Sequence, residues 1–158
     1  ADGETITTLK EIPLYLEGLP EERNVAPVVT QVSIDGSSVN LDGATLSAQR
    51  LEKIVVDVEI DESSLQPYVD GVGNNRVEEA VVSFYASKGL WEVDRRLGNT
   101  VSNTLDFYEE DMKGERTLLE PPLGLSGDDT SLVIYAVTRD GRGGQSVAGP
   151  FTVELSAD

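Results

Sequence analysis

The sequence contains no cysteine and no histidine. Their absence excludes thiol catalysis, Ser-His-Asp and Cys-His arrangements, Cys-ligated zinc or clusters, and the usual imidazole-bound metal sites. Disulfides are common in small extracellular domains, so a cysteine-free chain fits a microbial protein better than an animal one. A chain of 158 residues buries enough surface to fold without such staples. Basic residues are also scarce, with 12 Lys and Arg against 29 Asp and Glu and a net charge of −17. That balance argues against nucleic acid and anionic membrane surfaces as partners. No apolar run approaches the roughly 20 residues that cross a bilayer, which argues against direct membrane insertion. Ala1-Asp2-Gly3-Glu4-Thr5 carries neither the basic nor the apolar region of a signal peptide. It reads either as the mature end left by signal cleavage or as an arbitrary boundary.

What is present is strand chemistry. Ile54, Val56, Val58 and Ile60 fall on one side of an alternating run, with Val55, Asp57 and Glu59 on the other. A period of two in β-branched residues marks a half-buried strand. Val28, Thr30, Val32 and Ile34 repeat the pattern up to the turn Asp35-Gly36. So do Ala80, Val82, Phe84 and Ala86, and so do Phe151, Val153 and Leu155. Leu132, Ile134 and Ala136 alternate with Val133, Tyr135 and Val137, which predicts a central strand buried on both faces. Weaker strand patterns lie at residues 91–95 and 104–108, and single helical turns are expected around 47–52 and 109–114. Gly, Asn and Asp pairs such as Asp42-Gly43, Asp70-Gly71 and Asp140-Gly141 supply turns between the runs. The expectation is an all-β fold: an antiparallel sandwich of about seven strands over residues 25–158, preceded by an extended arm over residues 1–24.

Ser83-Phe84-Tyr85-Ala86-Ser87-Lys88-Gly89, the entry Ala26-Pro27-Val28-Val29 and the closing pair of strands from Leu132 to Leu155 resemble bacterial immunoglobulin-like and polycystic-kidney-disease-like extracellular modules. The resemblance implies an immunoglobulin-like sandwich that acts outside the cell in adhesion, spacing, fibre formation or support of a surface enzyme. It places the chain at the cell surface or outside the cell, the periplasm being an alternative.

Three functional readings follow. In the first, Ile12, Leu14 and Leu16, alternating beside Pro13, are the apolar knobs of an arm. That arm fills a groove on a protein partner such as a second copy of the chain, pairs with its own domain, or serves as a tether. The second is a glycan-binding module using Trp91 and Tyr68, the reading weighed against a Trp91 that plugs the core between sheets. The third is a calcium-stabilised spacer with Asp61, Asp70 and Asp140 as turn ligands, weighed against Asp side chains that bond their own backbone. No carboxylate pair sits in a catalytic motif, and Gly141-Arg142-Gly143-Gly144 lies in a hairpin rather than at a helix start, so neither an enzyme nor a phosphate site is expected. No cofactor is expected beyond the calcium of the third reading.

Overall fold

The computed structural model describes residues 24–49, 53–110, 113–121, 123–125 and 129–156. In chain order the strands are β1 Val29–Ile34, β2 Ser37–Val39, β3 Ala44–Gln49, β4 Lys53–Ile60, β5 Pro67–Val69, β6 Asn75–Val77 and β7 Val81–Ala86. They continue with β8 Leu90–Trp91, β9 Arg95–Leu97, β10 Thr100–Asp106, β11 Tyr108–Glu110, β12 Arg116–Leu118, β13 Ser131–Arg139 and β14 Gln145–Ser156. A 3-10 helix over Glu62–Ser64 follows β4. Two five-stranded sheets, β2-β1-β4-β10-β8 and β3-β14-β13-β7-β9, form the body, and the hairpins β5-β6 and β11-β12 stand beside it. The protein is an all-β sandwich.

Alternation decides which side chains enter the core. Ile54, Val56, Val58 and Ile60 of β4 are buried, and they meet Val82, Ile134, Phe151 and Val153 of the other sheet in one cluster. Each such side chain contributes about 1.5–3 kcal/mol relative to an exposed position. Asp35 and Gly36 both adopt left-handed φ, 48° and 76°, and join β1 to β2 with Ile34 opposite Ser37. Two left-handed residues give the turn whose twist matches the flanking strands.

Four expectations change. The body has ten strands rather than about seven, because β2, β8 and β9 are two or three residues long and too short to show a period. β3 runs parallel to β14, so the sheets are not purely antiparallel. Residues 47–49 and 109–110 belong to strands β3 and β11, not to helical turns; the rest of those two windows lies mostly outside the described residues. In β1 a bulge between Val29 and Gln31 shifts the register. Val29, Val32 and Ile34 are therefore buried, while Val28 and Thr30 face solvent.

The entry to the domain is tied down. The Asn24 side-chain amide donates to Asp140 Oδ2 at 2.9 Å, Val25 N–H to Gln66 Oε1 at 2.9 Å, and Val28 N–H to Ser64 Oγ at 2.9 Å. The Ser146 hydroxyl donates to the Pro27 carbonyl. Asn24, read above as the last residue of the arm, is thus bonded to the domain.

Candidate functional site

The outward side of the sheet β3-β14-β13-β7-β9 is set by strand alternation. Val82 and Phe84 of β7 point inward, as do Leu132, Ile134, Ala136 and Thr138 of β13. Val81, Ser83, Tyr85, Val133, Tyr135, Val137 and Arg139 therefore share the outer face. The register lines them up across strands. Tyr135 stands opposite Tyr85, Val137 opposite Ser83 and Arg139 opposite Val81. Beyond them, Val147 and Gln145 extend two of these rows on β14 and Arg95 and Leu97 on β9.

This face is apolar and open. Tyr85 is 49%, Tyr135 38%, Val147 55% and Leu97 62% exposed. The sequence pattern predicted burial on both sides of β13; β14 and β7 flank it as expected and Val137 on the outer side is 9% exposed, but none of the described residues covers Tyr135. Arg139 lies across the sheet, donating through Nε to Gln145 Oε1 at 3.2 Å and through Nη1 to Ser83 Oγ at 3.3 Å. Beside Tyr135 the β13-β14 register shifts between Ile134 and Ala136. Gly149 fills this bulge with φ 112°. A Cβ there would come within 2.9 Å of the Ile134 carbonyl oxygen and 3.3 Å of Tyr135 Cδ1. Only glycine lets the ring settle against β14 in this backbone state.

Charge separates the two outer faces. Arg95, Arg139 and Glu154 are the charged side chains on the outward positions of β7, β9, β13 and β14. The opposite face, on β4 and β10, carries Asp57, Glu59 and Asp106 with Lys53. In a chain with 29 acids, a face this poor in carboxylates is distinctive. It offers apolar area, two phenol hydroxyls and a pinned guanidinium, the composition that marks the centre of protein interfaces.

The residues singled out from sequence are placed elsewhere. Ile12, Leu14 and Leu16 lie outside the described residues. Trp91, on β8, turns into the sandwich, with its ring centroid 5.2 Å from that of Phe84 on the facing sheet and its Nε1 buried. Trp91 is thus half-buried, with its ring packed against the core. Tyr68 is half-buried beneath the Arg142 guanidinium, 5.1 Å from its ring centre. Trp91 sits opposite Leu105, which pairs with Ile54, whereas Tyr68 follows the far end of β4 at Ile60. Trp91 packs against Phe84 between the sheets, and Tyr68 lies under Arg142 on the separate β5-β6 hairpin.

Nor does the structure gather the three aspartates. Asp61 caps the 3-10 helix, with Oδ1 accepting from Ser63 N–H at 2.9 Å and Ser63 Oγ at 2.7 Å. Its carboxyl sits below the usual 3.8 because of the Ser63 hydroxyl first and the Ser63 N–H second, against some desolvation. Asp70 closes the β5-β6 turn, accepting from the N–H groups of Val72 and Asn74 and from Arg76 Nε at 3.2 Å. It too lies below 3.8, chiefly through the Asn74 N–H. Asp140 is buried; its Oδ1 accepts from the N–H groups of Arg142 at 2.7 Å and Gly144 at 2.9 Å. Each aspartate bonds its own turn, as Asp residues in turns do. Among the described residues no group of three or more acidic, histidine or cysteine side chains is placed to hold a metal ion.

The Tyr85–Tyr135 pair escaped the sequence reading as a site. Its one signal was the phenol of Tyr135 inside a run otherwise aliphatic, at a position where a fully buried strand would leave the hydroxyl without a partner. A scan against protein-family models, a search of curated proteins and a search of solved structures each return no match.

Proposed function

We propose that the protein is a non-catalytic interaction module of a microbial cell-surface or extracellular assembly, which engages a protein partner through the outer face built around Tyr85 and Tyr135. The observation that carries this reading is the exposure of both tyrosines, opposite each other in register, on the face of the sandwich poorest in carboxylates. Tyr presents a large, stiff contact surface with a polar tip and loses little side-chain entropy on binding. The aliphatic neighbours Val147 and Leu97 favour a protein surface over a sugar, whose hydroxyls need more polar partners than this face supplies.

The immunoglobulin-like reading draws its support from strand order. The neighbours β1-β4-β10 follow the A-B-E order of such sandwiches, and β14-β13-β7-β9 follows G-F-C-C′; β8 flanks β10 where D would stand but precedes β9 in the chain. The non-catalytic reading draws on the absence of His and Cys and on Asp61, Asp70 and Asp140 being engaged by their own turns.

Gentle extraction of the tagged chain from the cells that make it, followed by gel filtration, tests the reading. The wild-type chain is expected well above the 17.0 kDa monomer, and a Tyr85→Ser/Tyr135→Ser chain at the monomer position. A monomeric wild type, or a double variant that stays in the large species, would overturn it.

A further inference from the structure

The two main sheets end in the strands β2, β8, β3 and β9. Three of these are short: β2, β8 and β9 have two or three residues, and β9 carries Arg95 and Arg96. Short length and basic side chains are common protections of a sheet edge, whose outward N–H and C=O groups otherwise accept another strand. β3 has neither. It runs for six residues, Ala44-Thr45-Leu46-Ser47-Ala48-Gln49, with no charge and no proline. Its register against β14, from Ala44 opposite Phe151 to Gln49 opposite Ser156, contains no bulge. Among the described residues β3 pairs with one strand, β14, and its other side is an open edge.

Alternation sorts the side chains of this edge. Ala44 and Leu46 pack against the core and are only partly buried, while Thr45 and Ser47 face solvent. A second β3 running antiparallel about a two-fold axis normal to the sheet keeps these sides matched, and such an axis sets one residue opposite itself. With Leu46 at the axis, the two Leu46 side chains meet at the rims of both cores, and Thr45 stands opposite Ser47, a pair whose hydroxyls can bond each other. Charge decides whether two chains of −17 can approach in this way. The acids that flank β3 are Glu154, beside Ser47 on β14, and Asp42, in the turn before the strand. Strand spacing keeps the two Glu154 at least about 14 Å apart, and four residues of strand on each side of the axis keep the two Asp42 about 27 Å apart. Both distances exceed the Debye length of about 8 Å at physiological salt, so the local repulsion is largely screened.

We propose that two copies of the chain pair through their β3 strands, antiparallel about Leu46, and so join two five-stranded sheets edge to edge. The pairing sets two Tyr85–Tyr135 faces side by side on one outer surface, but it does not rest on their role. One short strand pair falls well below the roughly 1,200 Å² of a stable interface. The contact is therefore weak: the dilute chain is a monomer, and pairing appears as copies are concentrated.

Sedimentation of the purified full chain from micromolar to millimolar concentration at physiological salt tests the proposal. The mean mass of the wild-type chain is expected to rise from 17.0 kDa by at least half. A Thr45→Lys/Ser47→Lys chain is expected to stay monomeric, because the pairing would set its added charges opposite one another. Both positions are exposed, so the fold is kept, and circular dichroism checks this. The two lysines bring the net charge closer to zero, so repulsion between whole chains does not account for the loss. The Tyr85→Ser/Tyr135→Ser chain is expected to associate as the wild type does. Because the chain has no cysteine, one thiol reports the register. Directly opposed residues lie within disulfide reach, so Leu46→Cys is expected to form linked dimers in a thiol–disulfide buffer at least tenfold faster than Thr104→Cys, whose thiol lies on the other sheet. A wild-type chain still monomeric at millimolar concentration would overturn the proposal. So would a lysine variant that associates like wild type, a tyrosine variant that does not, or equal rates for the two cysteine chains.

Discussion

Arg142 places Nη1 2.9 Å from Oε1 of Glu78 while its guanidinium lies over the Tyr68 ring. The Glu78 side chain is fully buried and its other oxygen accepts from Gln66 N–H at 2.8 Å. One ion pair thus joins the turn after β13, the approach to β7 and the β5-β6 hairpin. Removing Arg142 leaves a buried carboxylate with one neutral donor. Arg142→Ala is expected to lower unfolding free energy by about 1–2 kcal/mol, the range for a charged hydrogen bond discounted because the arginine is a third exposed. Arg142→Lys is expected to lose most of the same stability, since an ammonium does not reproduce the flat stacking on Tyr68. Urea titration measures both; a Lys variant as stable as wild type would remove the stacking from the explanation.

Trp91 reports on the space between the sheets. Its packing against Phe84 and its buried Nε1 lead to blue-shifted emission, weak quenching by acrylamide and no response to added polysaccharide. Phe84→Ala is expected to shift that emission to the red and to cost about 3–5 kcal/mol, the range for emptying a buried aromatic site. Red emission from the wild-type chain would contradict the inward placement.

Acid sensitivity follows from the two turn aspartates. Folding lowers the carboxyl of Asp61 and that of Asp70 below 3.8, so the folded state holds fewer protons there than the unfolded chain. The stability they contribute is complete above the unfolded value and disappears as pH falls through the lowered folded values. Asp70→Asn is therefore expected to be less stable than wild type at about pH 7, with the gap closing as pH falls below 3.8 and through the lowered folded value. Thermal melts across that range follow the gap. A difference unchanged by pH would mean that charge at Asp70 plays no part.

The tyrosine face is exposed, so altering it leaves the fold nearly intact. Tyr85→Ser and Tyr135→Ser are each expected to cost under about 1 kcal/mol, and a double-mutant cycle to give a coupling of about 0.2–1 kcal/mol for directly opposed residues. Ile134→Ala, one residue away and fully buried, is expected to cost about 2–5 kcal/mol. Equal losses at Tyr135 and Ile134 would mean that the tyrosine is buried in solution.

Long alternating strands were legible because burial on one side selects every second residue. Ile54 to Ile60, Ala80 to Phe84 and Phe151 to Leu155 all enter the core as their pattern requires. β10 was only half visible. Asn103 occupies a core position between Val101 and Leu105, and it is 1% exposed because its amide donates to the Val93 carbonyl at 2.8 Å. A polar residue satisfied by a distant carbonyl looks like a break in a strand. The bulges at Thr30 and at Gly149-Pro150 were equally hidden, since each depends on which residue of a neighbouring strand stands opposite. The same holds for the tyrosine face. Alternation places Tyr85 and Tyr135 on one side of their strands, but only the pairing of β7 with β13 makes them neighbours. Whether that side is covered depends on the rest of the fold.

The most direct measurement places a photo-crosslinking phenylalanine analogue at Tyr85, at Tyr135 and, as reference, at Thr104 on the opposite outer face. The chains are irradiated in the cells that make the protein. Discrete adducts of one added mass are expected from positions 85 and 135 and none of that mass from position 104. Adducts that are alike on both faces, or confined to position 104, would contradict a partner-binding role for the Tyr85–Tyr135 face.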